Sequence, residues 1–270
     1  MKAAIKKLLL KAAGNRRLRG IRHLLGSGAL YDQPATLCDP GGGTIAVLAP
    51  HMDDEVLGCG GTIAIHAQAG AKVSVIFLTD GRYGGSVDAA ASNNTHGFDR
   101  QALVDLRKLE ARRAAEILGI QSVYFLDAED SRLHADELVA GRLREVLESE
   151  RPDIVYLPFF LERNQDHRAA NDVLFAATRG TALDFECRGY EVWTPLFANR
   201  LVKIDRTIEL KKRALACYQS QLAVVDYLHS GIGLNAYRSL TLGGEKCRFV
   251  EAFHALGLAD YRRLRRDFSK

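Results

Sequence analysis

TIAVLAPHMDDE, residues 44–55, is the stretch on which the reading of this chain turns. Its first half, Thr44 to Ala49, is a short apolar run with β-branched residues, the pattern of a buried strand. Its second half places His51, Asp53, Asp54 and Glu55 where that strand would end. One imidazole beside adjacent carboxylates offers ligands for a divalent ion, with one carboxylate to spare for acid–base work. The same acids also suit plain helix chemistry. They open a predicted helix from Val56 to Ala69, and a first turn takes acids because they meet free backbone N–H groups and the positive end of the dipole. The choice between the two readings falls to the rest of the chain.

Outward from that stretch, apolar runs recur at Val73–Leu78, Val123–Leu126, Ile154–Leu157, Glu191–Thr194 and Leu201–Ile204. Helix-length segments separate the first four: Leu57–Ala69 closing on Gly70, Ala102–Leu118 closing on Gly119, and Asp136–Glu148 before Arg151-Pro152. The alternation predicts an α/β fold, a Rossmann-like, doubly wound, mostly parallel sheet with helices on both faces. Ligands of such sheets bind outside the carboxyl ends of the strands, where the winding direction reverses. His51 to Glu55 leave a strand at that edge. The run ending Leu157-Pro158 leads through residues 161–167 (LERNQDH) into a predicted helix, Arg168–Thr178, so His167 is placed to complete a site begun by His51 and Asp54.

The bulk numbers fit one domain. The 270 residues are 47% hydrophobic and 26% charged, enough for a single α/β core, preceded by a basic N-terminal helical segment over residues 1–30. A net charge of +4 demands no nucleic-acid partner. No run approaches a membrane span, and the short Leu8-Leu9-Leu10 run is no signal-peptide core. Five cysteines without a C-x-x-C pair suit a reducing compartment, so a cytoplasmic protein is expected. Residues 1–31 hold eight Lys or Arg and no acid. Residues 1–26 therefore read either as an amphipathic helix resting peripherally on the cytoplasmic membrane face, or as a solvated helix packed by its leucines. Gly58-Cys59-Gly60-Gly61 falls within a predicted helix and reads as small residues for close packing, not as a phosphate cradle. The small, polar residues 81–98 read as a lid or substrate loop.

His51, Asp54 and His167 together make two imidazoles and one carboxylate with positions left open, a catalytic rather than a closed structural metal set. Non-haem Fe(II) oxygenases use the same ligand types. Asp53 points to hydrolysis instead, because a carboxylate beside activated water has a proton to move.

The residues match a known pattern. His51-Met52-Asp53-Asp54-Glu55 resembles the A-H-P-D-D-E signature of the PIG-L / LmbE-like de-N-acetylases, and Asn164-Gln165-Asp166-His167 resembles their second motif, H-P-D-H. Arg107, Glu110 and Ala114–Gly119 resemble that family's R-x-x-E helix, and Tyr218–Gln221 and Val250–Phe253 resemble its C-terminal signatures. The resemblance implies that His51, Asp54 and His167 ligate Zn2+ (Fe2+ or another divalent ion in its place) and that Asp53 is the general base. It implies that Asp166 orients a neighbouring donor, and that the substrate is an N-acetylglucosamine or N-acetylgalactosamine unit; the basic N-terminal helix, able to hold the enzyme at a membrane surface, favours a lipid-linked or envelope glycan over a small molecule. Hydrolysis of another N-acyl group, or glycan binding without catalysis, stands beside that reading. Two positions depart from the pattern. Met52 replaces a proline, and Asn164 replaces the histidine that serves the oxyanion or donates a proton. An amide can donate to an oxyanion, a contact worth about 3 kcal/mol, but supplies no proton. His229, His134 and Arg163 are candidates for that proton, each with a competing reading as a surface side chain. Arg82 is a candidate contact to a substrate hydroxyl or phosphate, Glu251 a support for the site, and Tyr124, Tyr156 and Trp193 read as core.

Overall fold

Eight strands form one sheet among the residues that the computed structural model describes, 36–84, 100–242 and 246–268 together with Leu18, Gly20 and Ile21. Apart from those three residues, the predicted segment 1–30 lies outside this range, as do residues 85–98 of the predicted loop. The strands are β1 (Thr36–Leu37), β2 (Thr44–Ala49), β3 (Lys72–Thr79), β4 (Ser122–Ala128), β5 (Ile154–Pro158), β6 (Glu186–Tyr190), β7 (Arg200–Lys203) and β8 (Val250–Gly257). Their order is β1-β7-β8-β6-β5-β2-β3-β4, parallel throughout except that β8 runs against both its neighbours. The helices are α1 (Asp54–Gln68), α2 (Arg100–Leu118), α3 (Glu137–Glu150), α4 (Gln165–Ala177), α5 (Ile208–Leu215), α6 (Gln219–Leu222), α7 (Tyr227–Arg238) and α8 (Leu258–Asp267).

Strand β2 is buried on both faces, and its period of two divides it between two cores. Ile45, Val47 and Ala49 pack with α1, α2 and α5, while Ala46 and Leu48 pack with α3, α4 and α8. It pairs with β3 on one side and β5 on the other, so the chain reverses its winding at the carboxyl ends of β2 and β5. The loops that follow those two strands carry His51–Asp53 and Leu161–Asn164. No described helix is long and apolar enough to cross a membrane.

Three expectations need correction. Residues 191–194 are not a strand, because the backbone N–H groups of Val192, Trp193 and Thr194 all turn onto Glu162 Oε1, at 2.7, 3.0 and 3.0 Å, and are lost to any ladder. The sixth strand lies just before them, at Glu186–Tyr190. The helix predicted from Arg168 begins at Gln165, since Asn164 caps it by accepting from Asp166 N at 2.8 Å. And α1 is not continuous through its glycines. Cys59 leaves helical geometry (φ −147°, ψ 19°), and the freed N–H groups of Gly61 and Thr62 donate to the carboxylate of Glu251 at 2.9 and 2.7 Å. The Gly-rich stretch is thus a second helix start that cradles an internal carboxylate. Close packing holds as well: a Cβ on Gly58 would lie 2.2 Å from the Tyr190 ring and one on Gly61 2.7 Å from Ile204.

Candidate active site

The turn after β2 is held from every side. Pro50 O accepts from Thr79 N at 3.0 Å and Thr79 Oγ1 at 2.8 Å, and Asp54 Oδ2 accepts from His51 N at 2.9 Å. Between them Asp53 adopts φ 135°, ψ −26°, a conformation L residues rarely take and one that costs about 1–3 kcal/mol. Its surroundings impose it. Asp53 N donates to Glu55 Oε2 at 3.2 Å, Tyr218 OH donates to Glu55 Oε1, and Arg107 Nη2 donates to Met52 O at 2.9 Å. Glu55 is therefore more than first-turn chemistry. The R-x-x-E helix is explained in the same way: Arg107 clamps Met52 O and Gly81 O, and Glu110 accepts from Ser220 N at 2.9 Å and Ser220 Oγ at 2.6 Å, fixing α6 after Tyr218.

His51, Asp54 and His167 converge, with donor atoms within 4.8 Å of one another. Asp54 Oδ2 lies 3.2 Å from His51 Nδ1 and 3.2 Å from His167 Nε2. His167 is fully buried, and beyond the 3.2 Å contact of Nε2 with Asp54 Oδ2 neither ring nitrogen makes a hydrogen bond. Leaving a buried polar group unsatisfied costs about 1–3 kcal/mol, a cost that a cation ligated at Nε2 removes. The donor set thus fits a divalent ion such as zinc. Glu162 Oε2 stands 3.9 Å from His167 Nδ1 on the far side of the ring. His51 points both ways. Its Nε2 lies 3.2 Å from both Asp130 Oδ1 and Asp166 Oδ2, so with Nδ1 toward the ion these carboxylates fix the other tautomer, the arrangement that orients metal-binding histidines elsewhere. Asp166 is itself held by Ser131 N at 2.7 Å and Leu133 N at 3.2 Å. His51, Asp130 and Asp166 form a second group of potential ligands.

Electrostatics separates the acids. Burial, then the charge of Asp54, pushes the Asp53 carboxyl well above its usual range. Burial also opposes charge on Asp54, but His167 and His51 hold it well below the ordinary range. Burial disfavours the charged form of His51, yet Asp130, Asp166 and Asp54 raise it well above an ordinary histidine. Asp130 is brought to about 2 against the effect of burial by its bond to His51. Glu55 rises to about 7, chiefly by burial.

A cavity of about 250 Å³ opens on this cluster, lined by His51, Asp53, Asp54, Arg107, Asp130 and Asn164, with Tyr83, Trp193, Gln221 and Tyr227 among the remaining walls. Asn164 spends its Oδ1 on the cap of α4, which leaves its amide N–H groups as the donors available to the cavity. The other candidates stand apart from its lining. Arg82 pairs with Asp80, Nε to Oδ2 at 2.7 Å. Arg163 is exposed, with its N–H on Glu162 Oε2 and Thr194 Oγ1. His229 is exposed on α7, and His134 is exposed with Nε2 3.3 Å from Asp136. Glu251 sits in the break of α1, paired with Lys211 Nζ at 2.6 Å. Tyr156 is core as expected, but Trp193 is half in solvent at the cavity wall. Asp130 escaped the sequence reading altogether, because nothing local sets it apart from its neighbours Asp127 and Glu129 at the end of a strand.

Known proteins resemble this chain in sequence and in fold. Residues 46–178 match the family described as PIG-L, GlcNAc-PI de-N-acetylase. The chain is 35% identical over 197 residues to the diacetylchitobiose deacetylase of Thermococcus kodakarensis, covering 66% of this chain and 69% of that protein. It is also 35% identical over 109 residues to the 4-oxalmesaconate hydratase of Pseudomonas putida, 40% of this chain and 41% of that enzyme. In fold it resembles the N,N'-diacetylchitobiose deacetylase of Pyrococcus horikoshii, with a TM-score of 0.65 at 22% identity over 90% of this chain and 94% of that one.

Proposed function

The chain belongs to the PIG-L family of GlcNAc-PI de-N-acetylases, and from that premise we propose that it is a zinc-dependent hydrolase of the acetamide of an N-acetylated amino sugar, yielding acetate and the free amine. One observation supports the reading above the rest: the buried His167 turns Nε2 to Asp54 Oδ2, at 3.2 Å, beside His51, and Asp54 directly follows a conformationally constrained carboxylate. A zinc ion held by His51, Asp54 and His167 supplies a Lewis acid for water and the acetamide carbonyl, and the positive charge against which Asp53 ionises. Asp53 takes the proton of the attacking water. The amide N–H of Asn164 donates to the oxygen on which negative charge develops. Asp53, the acid at the cavity wall next to the reacting centre, returns the proton to the departing nitrogen, so one carboxylate serves both transfers and Asn164 need supply none. Asp130 and Asp166 hold the tautomer of His51.

The lining supports a neutral substrate. Its acids are Asp53, Asp54 and Asp130, while Arg107, the single Arg or Lys among the described lining residues, is committed to two carbonyls. This weighs against a second reading, addition of water to an unsaturated tricarboxylate, which the hydratase relative favours. Metal analysis with an acetate-release assay on acetamido sugars, beside an absorbance assay on 4-oxalmesaconate, separates the two. Metal-loaded protein should release acetate, and Asp53→Asn should keep its metal while losing about 10²–10⁴-fold in rate. Loss of the tricarboxylate's absorbance with no acetate from any sugar would establish the hydratase instead. The basic residues of 1–31 support a lipid-linked sugar as the natural form. Removing residues 1–26 should then lower vesicle binding and turnover of a lipid-linked substrate, and leave a soluble one as before.

A further inference from the structure

Trp193 is the chain's single tryptophan, and it stands at the mouth of the catalytic cavity. It lines the same 250 Å³ space as His51, Asp53 and Asp54 yet is 51% exposed, so part of the indole looks inward and part into solvent. Two contacts fix it. The ring of Tyr227, half-buried in the cavity wall, meets it edge to face, with centroids 6.0 Å apart and planes at 81°. Its backbone N–H donates to Glu162 Oε1 at 3.0 Å. The other oxygen of Glu162 is the one that stands 3.9 Å from His167 Nδ1. One buried carboxylate therefore sets the indole's backbone and borders the imidazole that completes the metal set, so the separation between platform and reacting centre is built in.

The cavity lies below the range of about 300–1,000 Å³ that holds drug-sized ligands, room for one acetamido sugar and not for two. A second ring attached to that sugar must lie at the mouth. A pyranose presents a face of axial C–H bonds, apolar and slightly positive, which suits the negative face of an indole. Tyr83, the other exposed aromatic of the lining, has its ring covered by the Arg100 guanidinium, 5.3 Å from the centroid.

We propose that Trp193, braced by Tyr227, is a sugar-stacking platform for the ring next to the acetamido sugar being hydrolysed, and that it makes the enzyme prefer a glycosidically extended substrate to free N-acetylglucosamine. This rests on the deacetylase reading above. The test compares N,N'-diacetylchitobiose with N-acetylglucosamine as acetate-releasing substrates for wild type, Trp193→Ala, Trp193→Phe and Tyr227→Ala. The ratio of kcat/KM for disaccharide over monosaccharide should fall roughly five- to tenfold in Trp193→Ala, through KM and not kcat, with partial loss in Tyr227→Ala and recovery in Trp193→Phe. An unaltered ratio overturns the proposal. The indole itself gives an independent readout: in Asp53→Asn protein its emission should shift on titration with the disaccharide, at lower concentration than with the monosaccharide. No shift, or the same midpoint for both sugars, also overturns it. A shift without acetate release from any sugar would uphold the platform and reject the deacetylase reading, which keeps the two failures apart.

Discussion

Glu55 holds Asp53 in place across a single intervening residue: Glu55 Oε2 accepts the Asp53 amide hydrogen at 3.2 Å, while Asp53 sits at φ 135°. The Asp53 carboxylate, the proposed general base, is thus fixed by the backbone of its own turn, and that backbone is fixed by a buried side chain whose second oxygen is taken by Tyr218. Glu55→Ala should release about 1–3 kcal/mol of imposed conformation and lower kcat by roughly 10- to 100-fold, with metal content retained. Tyr218→Phe should give a smaller loss of the same kind. Steady-state kinetics beside metal analysis checks both, and a variant that loses its metal instead would place Glu55 in the ligand set.

The two carboxylates on His51 Nε2 should act on metal affinity before they act on chemistry. Asp130→Asn and Asp166→Asn are each expected to weaken zinc binding about 10- to 100-fold, measured by competition with a chromogenic chelator. Equal affinity in both variants and wild type would show that His51 is oriented without them.

Asn164 has two functions that one substitution separates. Asn164→Asp keeps an oxygen to cap α4 at Asp166 N but removes the amide donors of a side chain that lines the cavity. Thermal stability should stay within about 1 kcal/mol of wild type while kcat falls about 100-fold. Asn164→Ala should lose both, with a further cap penalty of about 0.5–2 kcal/mol in denaturant titration.

The break in α1 depends on a buried ion pair. Lys211 Nζ donates to Leu57 O at 2.9 Å and to Glu251, which receives the N–H groups of Gly61 and Thr62. Lys211→Met strands the Glu251 carboxylate and should cost about 3–5 kcal/mol in urea unfolding. Pairing it with Glu251→Gln, which removes the stranded charge, should restore part of that loss.

His66 should make stability fall in mild acid. It is buried between Gly41 O, 2.8 Å from Nδ1, and Tyr156 OH, 2.9 Å from Nε2, and burial lowers it from 6.5 to about 4. The unfolded chain then binds the proton more readily than the folded one, so the contribution is complete above pH 6.5 and drains away as pH falls toward 4, by about 3 kcal/mol at most. Urea midpoints between pH 7 and 4.5 should drop less steeply in His66→Gln than in wild type.

The alternation of apolar runs with helix-length segments was enough for the fold, because a strand buried on both faces, such as Thr44–Ala49, leaves an uninterrupted apolar signature and each intervening helix ends on a visible glycine or proline signal. What misled was the run at Glu191–Thr194, whose N–H groups are claimed by Glu162 from a different loop, a contact no local pattern encodes. His51, Asp54 and His167 were legible from adjacency within two short motifs and from the winding rule that brings two strand ends together. Trp193 was not, since an aromatic residue beside a strand reads the same in a core as at a cavity mouth.

By itself the sequence determined the parallel sheet, the edge at which a ligand would bind and the side chains able to hold an ion, because periodicity and ligand type are properties of neighbouring residues. Only the tertiary structure decided that Asp130 and Asp166 share one face of His51, that Glu251 closes a helix 190 positions before it in the chain, and that Glu162 links Trp193 to His167. Apart from Glu162 to His167, those are contacts between carboxylates and groups far away in sequence, set by burial. A buried charge must find its partners in space, and the chain order does not say where they are.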